Sequence, residues 1–396
     1  MKISERVKVI SPSATLAVTN KAKALKAQGV DVVGFGAGEP DFDTPVEIKE
    51  AAKHAIDEGF TKYTPSAGIP ELRKAVCEKF KKDNGLDYLP EQILVSCGAK
   101  HSIYNAVQAM VDPGDEVIFQ APYWVSYPEF VKAAGGKCVI INAGVGQEYK
   151  MTADQVHDAI TKKTTLCILN SPSNPTGAVY TAGELSAIMD VLVDHGVSVI
   201  SDEIYEKLLY DGLTHACVPA LAPEYKEAVV LVNGVSKTYA MTGWRIGYLA
   251  GPKDLVAAMS RLQDHSTSNP TSISQKAALA ALQGDQLAAA KMVKAFDERR
   301  QWIVKALNAI PGVKCPMPKG AFYVFPDVSG VYGKPLKGGK AVKGSMELAD
   351  YLLEVARAAV VPGVAFGDDR CVRLSYALSL EAIKKGVERI GEALKA

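Results

Sequence analysis

The stretch VVLVNGVSKTYAMTGWRIGYLA, Val229–Ala250, holds two short apolar runs, Val229–Val232 and Ile246–Ala250, around a polar, Gly-containing segment. Each run has the length of one β-strand and no polar alternation, the pattern of a strand buried on both faces. Similar runs recur upstream at Gln92–Ser96 (QILVS), Glu116–Phe119 (EVIF), Cys138–Asn142 (CVIIN), Thr165–Leu169 (TLCIL) and Val197–Ser201 (VSVIS). Helical stretches lie between them at Lys100–Met110, Val125–Ala134 and Ala182–Asp194. This alternation predicts an α/β fold with a mostly parallel sheet covered on both faces. Downstream, Ser272–Gln283 and Leu287–Ala309 are rich in strong helix formers, and the longer run is expected to link two lobes. Beyond Pro311, FYVF (Phe322–Phe325), a helix Met346–Arg357, VRLSY (Val372–Tyr376) and a closing helix Leu380–Leu394 predict a smaller α+β domain.

The chain has 396 residues, 48% of them hydrophobic, with Lys+Arg 45 against Asp+Glu 44 and a formal charge of +1. The length suits about two or three domains and a large core. The charge balance argues against a nucleic-acid partner, which needs a basic surplus. No stretch approaches the ~20 apolar residues of a membrane span, and Met1–Ile10 has no apolar core of a secretory signal. The seven cysteines are scattered without a CxxC, and the six histidines form no HExxH. Neither a disulfide framework nor a metal site is indicated, and a reducing, cytoplasmic location is expected.

Several residues are out of place for their type. A lysine is ordinarily a solvated surface group, but Lys237 follows a buried strand, with Arg245 eight residues on. An amine that condenses with a carbonyl needs such a shielded strand end and a cationic field that lowers its pKa. Asp202 ends VSVIS, where it reads either as a helix N-cap or as a buried carboxylate. Asn174 lies in NPTG after TLCIL; the plain reading is a Pro/Gly turn, and the Asn174–Pro175 bond is expected to be cis. Ser96-Cys-Gly98-Ala99-Lys100 joins a strand to a helix start, where free N–H groups and the helix dipole suit an anion. Lys100 is disfavoured by that dipole, which points to a ligand-facing role. Arg373 lies in an apolar strand, either in an ion pair or as a two-pronged carboxylate clamp. Trp124 reads as core by default. Gly330–Gly344 lacks the GK[ST] of a phosphate loop and is expected to be a surface loop; Gly34–Gly38 lacks the spacing of a dinucleotide fingerprint.

SKTYAMTGWRIG resembles the cofactor-lysine motif of fold-type I pyridoxal-phosphate enzymes, specifically class I aminotransferases. PSATLAV, GAGEPDFDTP, YWVSYPE, NSPSNPTGAVY and SDEIYE extend the resemblance along nearly the whole chain, to the prokaryotic aspartate aminotransferase subgroup. It implies a large domain (46–288) with a mostly parallel seven-stranded sheet between helices, a smaller discontinuous α+β domain (11–45 and 289–396) and an N-terminal arm (1–10). It implies that Lys237 holds pyridoxal 5'-phosphate covalently and is the catalytic base. Arg245, Gly98 and Ala99 would meet the phosphate, joined by Tyr63 from a neighbouring subunit in a homodimer. Asp202 would face the ring nitrogen, its carboxylate pKa depressed by that ion pair. Tyr205 and Asn174 would face the phenolic oxygen, and Trp124 would stack on the ring. Arg373, Asn174 and the Gly38 N–H would bind the substrate α-carboxylate, with Trp124 also beside the substrate.

In that subgroup the distal carboxylate is read by a Lys after the phosphate-site glycine and by an N-terminal Thr, matched by Lys100 and Thr15. The implied reaction is ping-pong transamination of L-aspartate and 2-oxoglutarate to oxaloacetate and L-glutamate. Relatives that also act on prephenate carry a Lys before Pro-Ser-Ala-Thr; Ser11 stands there, which weakens the case for that dual activity. Other readings are an aromatic or alanine aminotransferase, a lyase on the same scaffold, or a cofactor-binding regulator. The regulator needs an added DNA-binding segment, which is not expected, since the motifs begin by about Pro12.

Overall fold

The fold is that of a computed structural model, which describes residues 1–395. Its main sheet has seven strands: β2 (Ile93–Ser96), β3 (Glu116–Ala121), β4 (Lys137–Asn142), β5 (Thr164–Asn170), β6 (Ser198–Asp202), β7 (Val229–Gly234) and β8 (Gly247–Ala250). Their order is β2-β8-β7-β6-β5-β3-β4, and β8 alone runs against the others. The seven-stranded, mostly parallel sheet expected from the resemblance is therefore present.

Alternate side chains point to opposite layers, as the strand period of two requires. From β2, Ile93 and Val95 pack with α3 (Val46–Asp57), α4 (Pro70–Asn84) and α10 (Ser272–Gln283), while Leu94 packs with α5 (Ala99–Met110) and α9 (Lys253–Asp264). The inner strands need apolar residues on both sides, which is why they read as unbroken hydrophobic runs. α6 (Tyr127–Ala134) joins the α5 layer; α7 (Ala153–Ala159) and α8 (Ala182–Asp194) pack together, α7 against β4 and α8 over buried residues of β3, β5 and β6. Thr181 and Glu184 form a reciprocal cap at the start of α8, so sequence and structure agree on that boundary.

A second core gathers β9 (Tyr323–Val324), β11 (Val361–Pro362) and β12 (Val372–Ser375), an antiparallel sheet in the order β11-β12-β9. The pair β1 (Val33–Gly34) and β10 (Ala358–Ala359) is parallel. α11 (Leu287–Asn308), α12 (Ser345–Tyr351) and α13 (Leu380–Ala393) contribute buried side chains to this core, and α2 (Ala14–Ala27) packs near β10 and β11. α1 (Glu5–Lys8) buries none of its residues. Among the described residues no helix is long and apolar enough to cross a membrane.

Two expectations need correction. The helix predicted over Met346–Arg357 stops being α-helical at Tyr351, passes through a π-helical turn at Leu352–Ala356 and ends with Arg357 in the left-handed region. Gly330–Gly344 is not simply a surface loop. Val331, Leu336 and Val342 are each at most 3% exposed and plug the second core, leaving the lysines and glycines outside.

Candidate active site

The carboxyl ends of β2, β5, β6 and β7 open toward the second core, and a cavity of about 430 Å³ lies between them. This is where open α/β sheets bind ligands, because loops leaving neighbouring strand ends can converge there. Asn170, Asp202 and Lys237 reach it from the ends of β5, β6 and β7, and Tyr323 and Arg373 from β9 and β12.

Lys237 sits three residues beyond β7, and its Nζ donates to the Gly38 carbonyl at 2.5 Å. Burial pushes its amine down to about 8; Glu39 opposes the fall, while Arg373 and Arg245 add to it. Asp202 is 4% exposed. Its carboxylate accepts from the Tyr127 hydroxyl at 2.7 Å and from the Ile204 N–H at 3.3 Å, both neutral donors. Burial therefore raises Asp202 to about 6, only partly offset by those two bonds. The depression expected from an ion pair is not supplied by protein groups. Tyr205 and Tyr323 join hydroxyls at 2.8 Å.

Arg373 does not make the ion pair that its sequence context allowed. It is 1% exposed and, among the described residues, pairs with no carboxylate. Its Nη1 donates to Asn174 Oδ1 at 2.9 Å and its Nη2 to the Gly36 carbonyl at 2.8 Å. Its carbon lies 4.5 Å from the Tyr323 ring centre and 5.0 Å from that of Phe366, and its Nε–H has no partner. A buried cation held only by neutral groups is costly unless an anion joins it. Asn174 is fixed in turn by its N–H to Asn170 Oδ1, 2.9 Å away, and the Asn174–Pro175 bond is cis, as expected.

At the β2–α5 turn Gly98 has φ +88°, and a Cβ there would lie 2.3 Å from Arg245 Nη2. The glycine thus lets the guanidinium lie against the helix start, where it donates to the Cys97 carbonyl at 3.1 Å. Gly247 of β8 is equally constrained, since a Cβ would meet the Ala99 nitrogen at 2.1 Å. Lys100 is exposed toward the cavity, 5.0 Å from the Trp124 ring centre and without a carboxylate partner among the described residues. Burial and the nearby Arg245 lower its pKa. Trp124 stands edge-on to Tyr127 and Phe130 and also lines the cavity. Thr15, on α2, has a buried hydroxyl with no partner.

Gly38, Ala99, Asn174, Tyr205 and Arg245 complete the residues brought to this one cavity, with Gly98 directly behind Arg245. Tyr63 is not among them; it is 92% exposed on this chain. Sequence reasoning missed Tyr127, Tyr323, Asn170 and Glu39. Tyr127 lies in YWVSYPE and Asn170 opens the NSPSNPTG turn, both stretches already singled out in the sequence.

Comparison with known proteins agrees with this geometry. The family described as aminotransferase class I and II matches residues 30–390. The aspartate aminotransferase of Geobacillus stearothermophilus is 51% identical over 396 residues, covering 100% of each chain. An aspartate/prephenate aminotransferase of Cereibacter sphaeroides is 50% identical over 389 residues, 98% of this chain and 97% of that one. The crystal structure of the aspartate aminotransferase from Rhizobium meliloti superposes with a TM-score of 0.96 at 45% identity, covering 100% of this chain and 99% of that one. That of Thermus thermophilus, solved with maleate, gives 0.92 at 44% identity, covering 99% and 100%. A buried amine, a buried carboxylate and an unpaired buried guanidinium thus converge at the strand ends of a chain that belongs to the class I and II aminotransferases.

Proposed function

We propose that the chain transfers the amino group of L-aspartate to 2-oxoglutarate, giving oxaloacetate and L-glutamate, with pyridoxal 5'-phosphate as cofactor. The observation that carries this reading is that two of the cations without a carboxylate partner on the cavity that holds the Lys237 amine, Arg373 and Lys100, are free to take one carboxylate each. Two cations suit a substrate with two carboxylates, and the Thermus thermophilus relative was solved with such a molecule, maleate. The protein groups fit the cofactor. Asp202 is a buried carboxylate with only neutral partners, suited to a protonated ring nitrogen. The Gly98–Ala99 turn, at the start of a 12-residue helix and under Arg245, suits a phosphate.

Bound there, the cofactor supplies an aldehyde carbon and a ring that draws electrons from the substrate Cα. Lys237 would hold that carbon through its Nζ; when free, the Nζ would take the proton from the substrate Cα as base and deliver it, as acid, to the cofactor carbon. A pKa near 8 leaves part of the amine neutral at physiological pH, which a base requires. Asp202 would face the ring nitrogen with its carboxylate, and Tyr205, Asn174 and Trp124 would orient the ring and substrate. Arg373 and the Gly38 N–H bind the α-carboxylate; Lys100 and Thr15 bind the distal one. We further propose domains over 46–288 and over 11–45 with 289–396, an arm over 1–10, and a homodimer in which Tyr63 reaches the partner's phosphate site. The exposure of Tyr63, Ile3, Val7 and Val9 supports the dimer.

Steady-state kinetics with 2-oxoglutarate and aspartate, alanine, aromatic donors and prephenate as an acceptor test this reading. Aspartate should give the highest kcat/KM; a marked preference for another donor overturns it. Prephenate activity would favour the second reading, that of the Cereibacter sphaeroides relative. Lys100→Ala is expected to lower kcat/KM for aspartate by about 10-fold or more, one charged hydrogen bond, while sparing alanine. Equal losses on both substrates would remove Lys100 from the distal site. In the cofactor-free protein, arylation of Lys237 by trinitrobenzenesulfonate, read by peptide mass spectrometry, should reach half its maximal rate near pH 8. A midpoint near the ordinary ~10.4 would mean that the amine is not shielded.

A further inference from the structure

Behind the turn that carries Asp202 and Tyr205 lies a buried ionic cluster outside the cavity. Asp202 reaches Tyr127 on one side; its neighbour Glu203 turns to the other. Glu203 is 1% exposed. Its Oε1 accepts from the Ser201 hydroxyl at 2.8 Å and the Val218 N–H at 3.0 Å, and its Oε2 lies 2.6 Å from His215 Nε2. Glu206, also buried, pairs with Lys79 of α4, and Asn84 Nδ2 reaches it at 3.4 Å. Lys79 continues to Asp83 at 3.8 Å, and Lys207 meets Asp83 at 3.0 Å.

Glu203, Glu206 and His215 bring metal-ligating atoms within 4.8 Å of one another. Each carboxylate already has a protein partner, His215 for Glu203 and Lys79 for Glu206. The cluster joins the Asp202–Tyr205 turn to α4 and to the segment around Val218.

We propose that His215 is a positioning residue for transamination: it holds Glu203, and Glu203 holds the turn that aims Asp202 and Tyr205 into the cavity. This rests on the reading of Asp202 as the carboxylate facing the cofactor ring. Among the described residues, His215 is the one cationic side chain within ion-pair distance of Glu203. Without it, a buried carboxylate would stand unpaired one residue from Asp202, and its charge would push Asp202 toward the neutral form. A neutral Asp202 cannot hold a positive ring nitrogen.

The groups facing His215 are Glu203 and Glu206, which favour its charged form, and Lys79, which opposes it. Burial lowers the imidazole pKa, but Glu203 more than offsets this and leaves it above its ordinary value. The pair is therefore intact at and below the ordinary histidine range and is lost as pH rises through the raised value.

The test compares the holoenzyme with His215→Gln, with Glu203→Gln and with the double variant His215→Gln/Glu203→Gln. His215→Gln should lose cofactor on dialysis about tenfold faster and lower kcat about tenfold, a coupling of ~1.4 kcal/mol, with KM for aspartate little changed. Its cofactor absorbance should also titrate at a shifted pH. The double variant removes both charges and should recover to within about twofold of wild type. Wild-type cofactor retention and kcat in His215→Gln would overturn the proposal, as would a double variant showing the product of the two single losses. If His215→Gln does not fold, the double variant decides by its cofactor retention and kcat alone. Failure of the wild-type protein to take up pyridoxal phosphate would instead sink the proposed function, so the two failures are distinct.

Discussion

Lys237→Ala is expected to leave a folded protein that has lost at least ~10⁴-fold in kcat, the upper range for removing a positioned proton-transfer group. The other cations that line the cavity stand elsewhere: Lys23 is an exposed residue of α2, Lys100 stands beside Trp124, and Arg245 lies against the Gly98 turn. A guanidinium is also too weak a base near neutral pH. The variant should remain folded because the wild-type amine is held in place at a cost. Burial lowers its pKa, the mark of a desolvation cost that the nearby Glu39 and Asp202 offset only in part. Initial rates with aspartate and 2-oxoglutarate, read beside a thermal melt, check both halves of the expectation. Near-normal turnover would sink the assignment of Lys237. A collapsed melting temperature would mean that the amine supports the fold rather than the chemistry.

The legible part of this site consists of residues whose type conflicts with their position. A lysine after a buried strand, an aspartate ending one and an arginine inside one each impose a cost that folding alone does not repay, so each stood out. Tyr127 and Tyr323 did not. An aromatic residue in an apolar run reads as core, and both are indeed buried; only their hydroxyl partners, Asp202 and Tyr205, separate them from other core residues. Those partners come from distant parts of the chain. The absence of a carboxylate beside Arg373 among the described residues is tertiary in the same way. The fold was legible where burial on both faces forced long apolar runs, as in β5, β6 and β7. It was hidden in Gly330–Gly344, where glycines and lysines mask three isolated core residues. The π-helical turn at Leu352–Ala356 leaves no mark in the composition of LLEVA, because its apolar spacing also suits an α-helix.

Arg373→Ala is expected to lower kcat/KM by roughly 10²–10⁴-fold for every amino-acid substrate, corresponding to the ~3–5 kcal/mol lost when one member of a buried charged pair is removed. The loss should be uniform because the α-carboxylate is common to aspartate, glutamate and alanine. It should also be accompanied by little destabilisation. If Arg373 formed a structural ion pair, truncating it would strand a buried carboxylate. Its partners are instead the amide oxygen of Asn174, the Gly36 carbonyl and two ring faces, none of which is left charged. Removing an uncompensated buried cation also relieves a desolvation cost that opposes folding, consistent with the burial-lowered pKa of the guanidinium. Arg373→Lys should recover only part of the activity, since a single ammonium cannot hold Asn174, Gly36 and both carboxylate oxygens at once. Kinetics on three amino acids together with thermal melts separate these possibilities. A variant that melts far below wild type while keeping its substrate affinity would return Arg373 to a structural role.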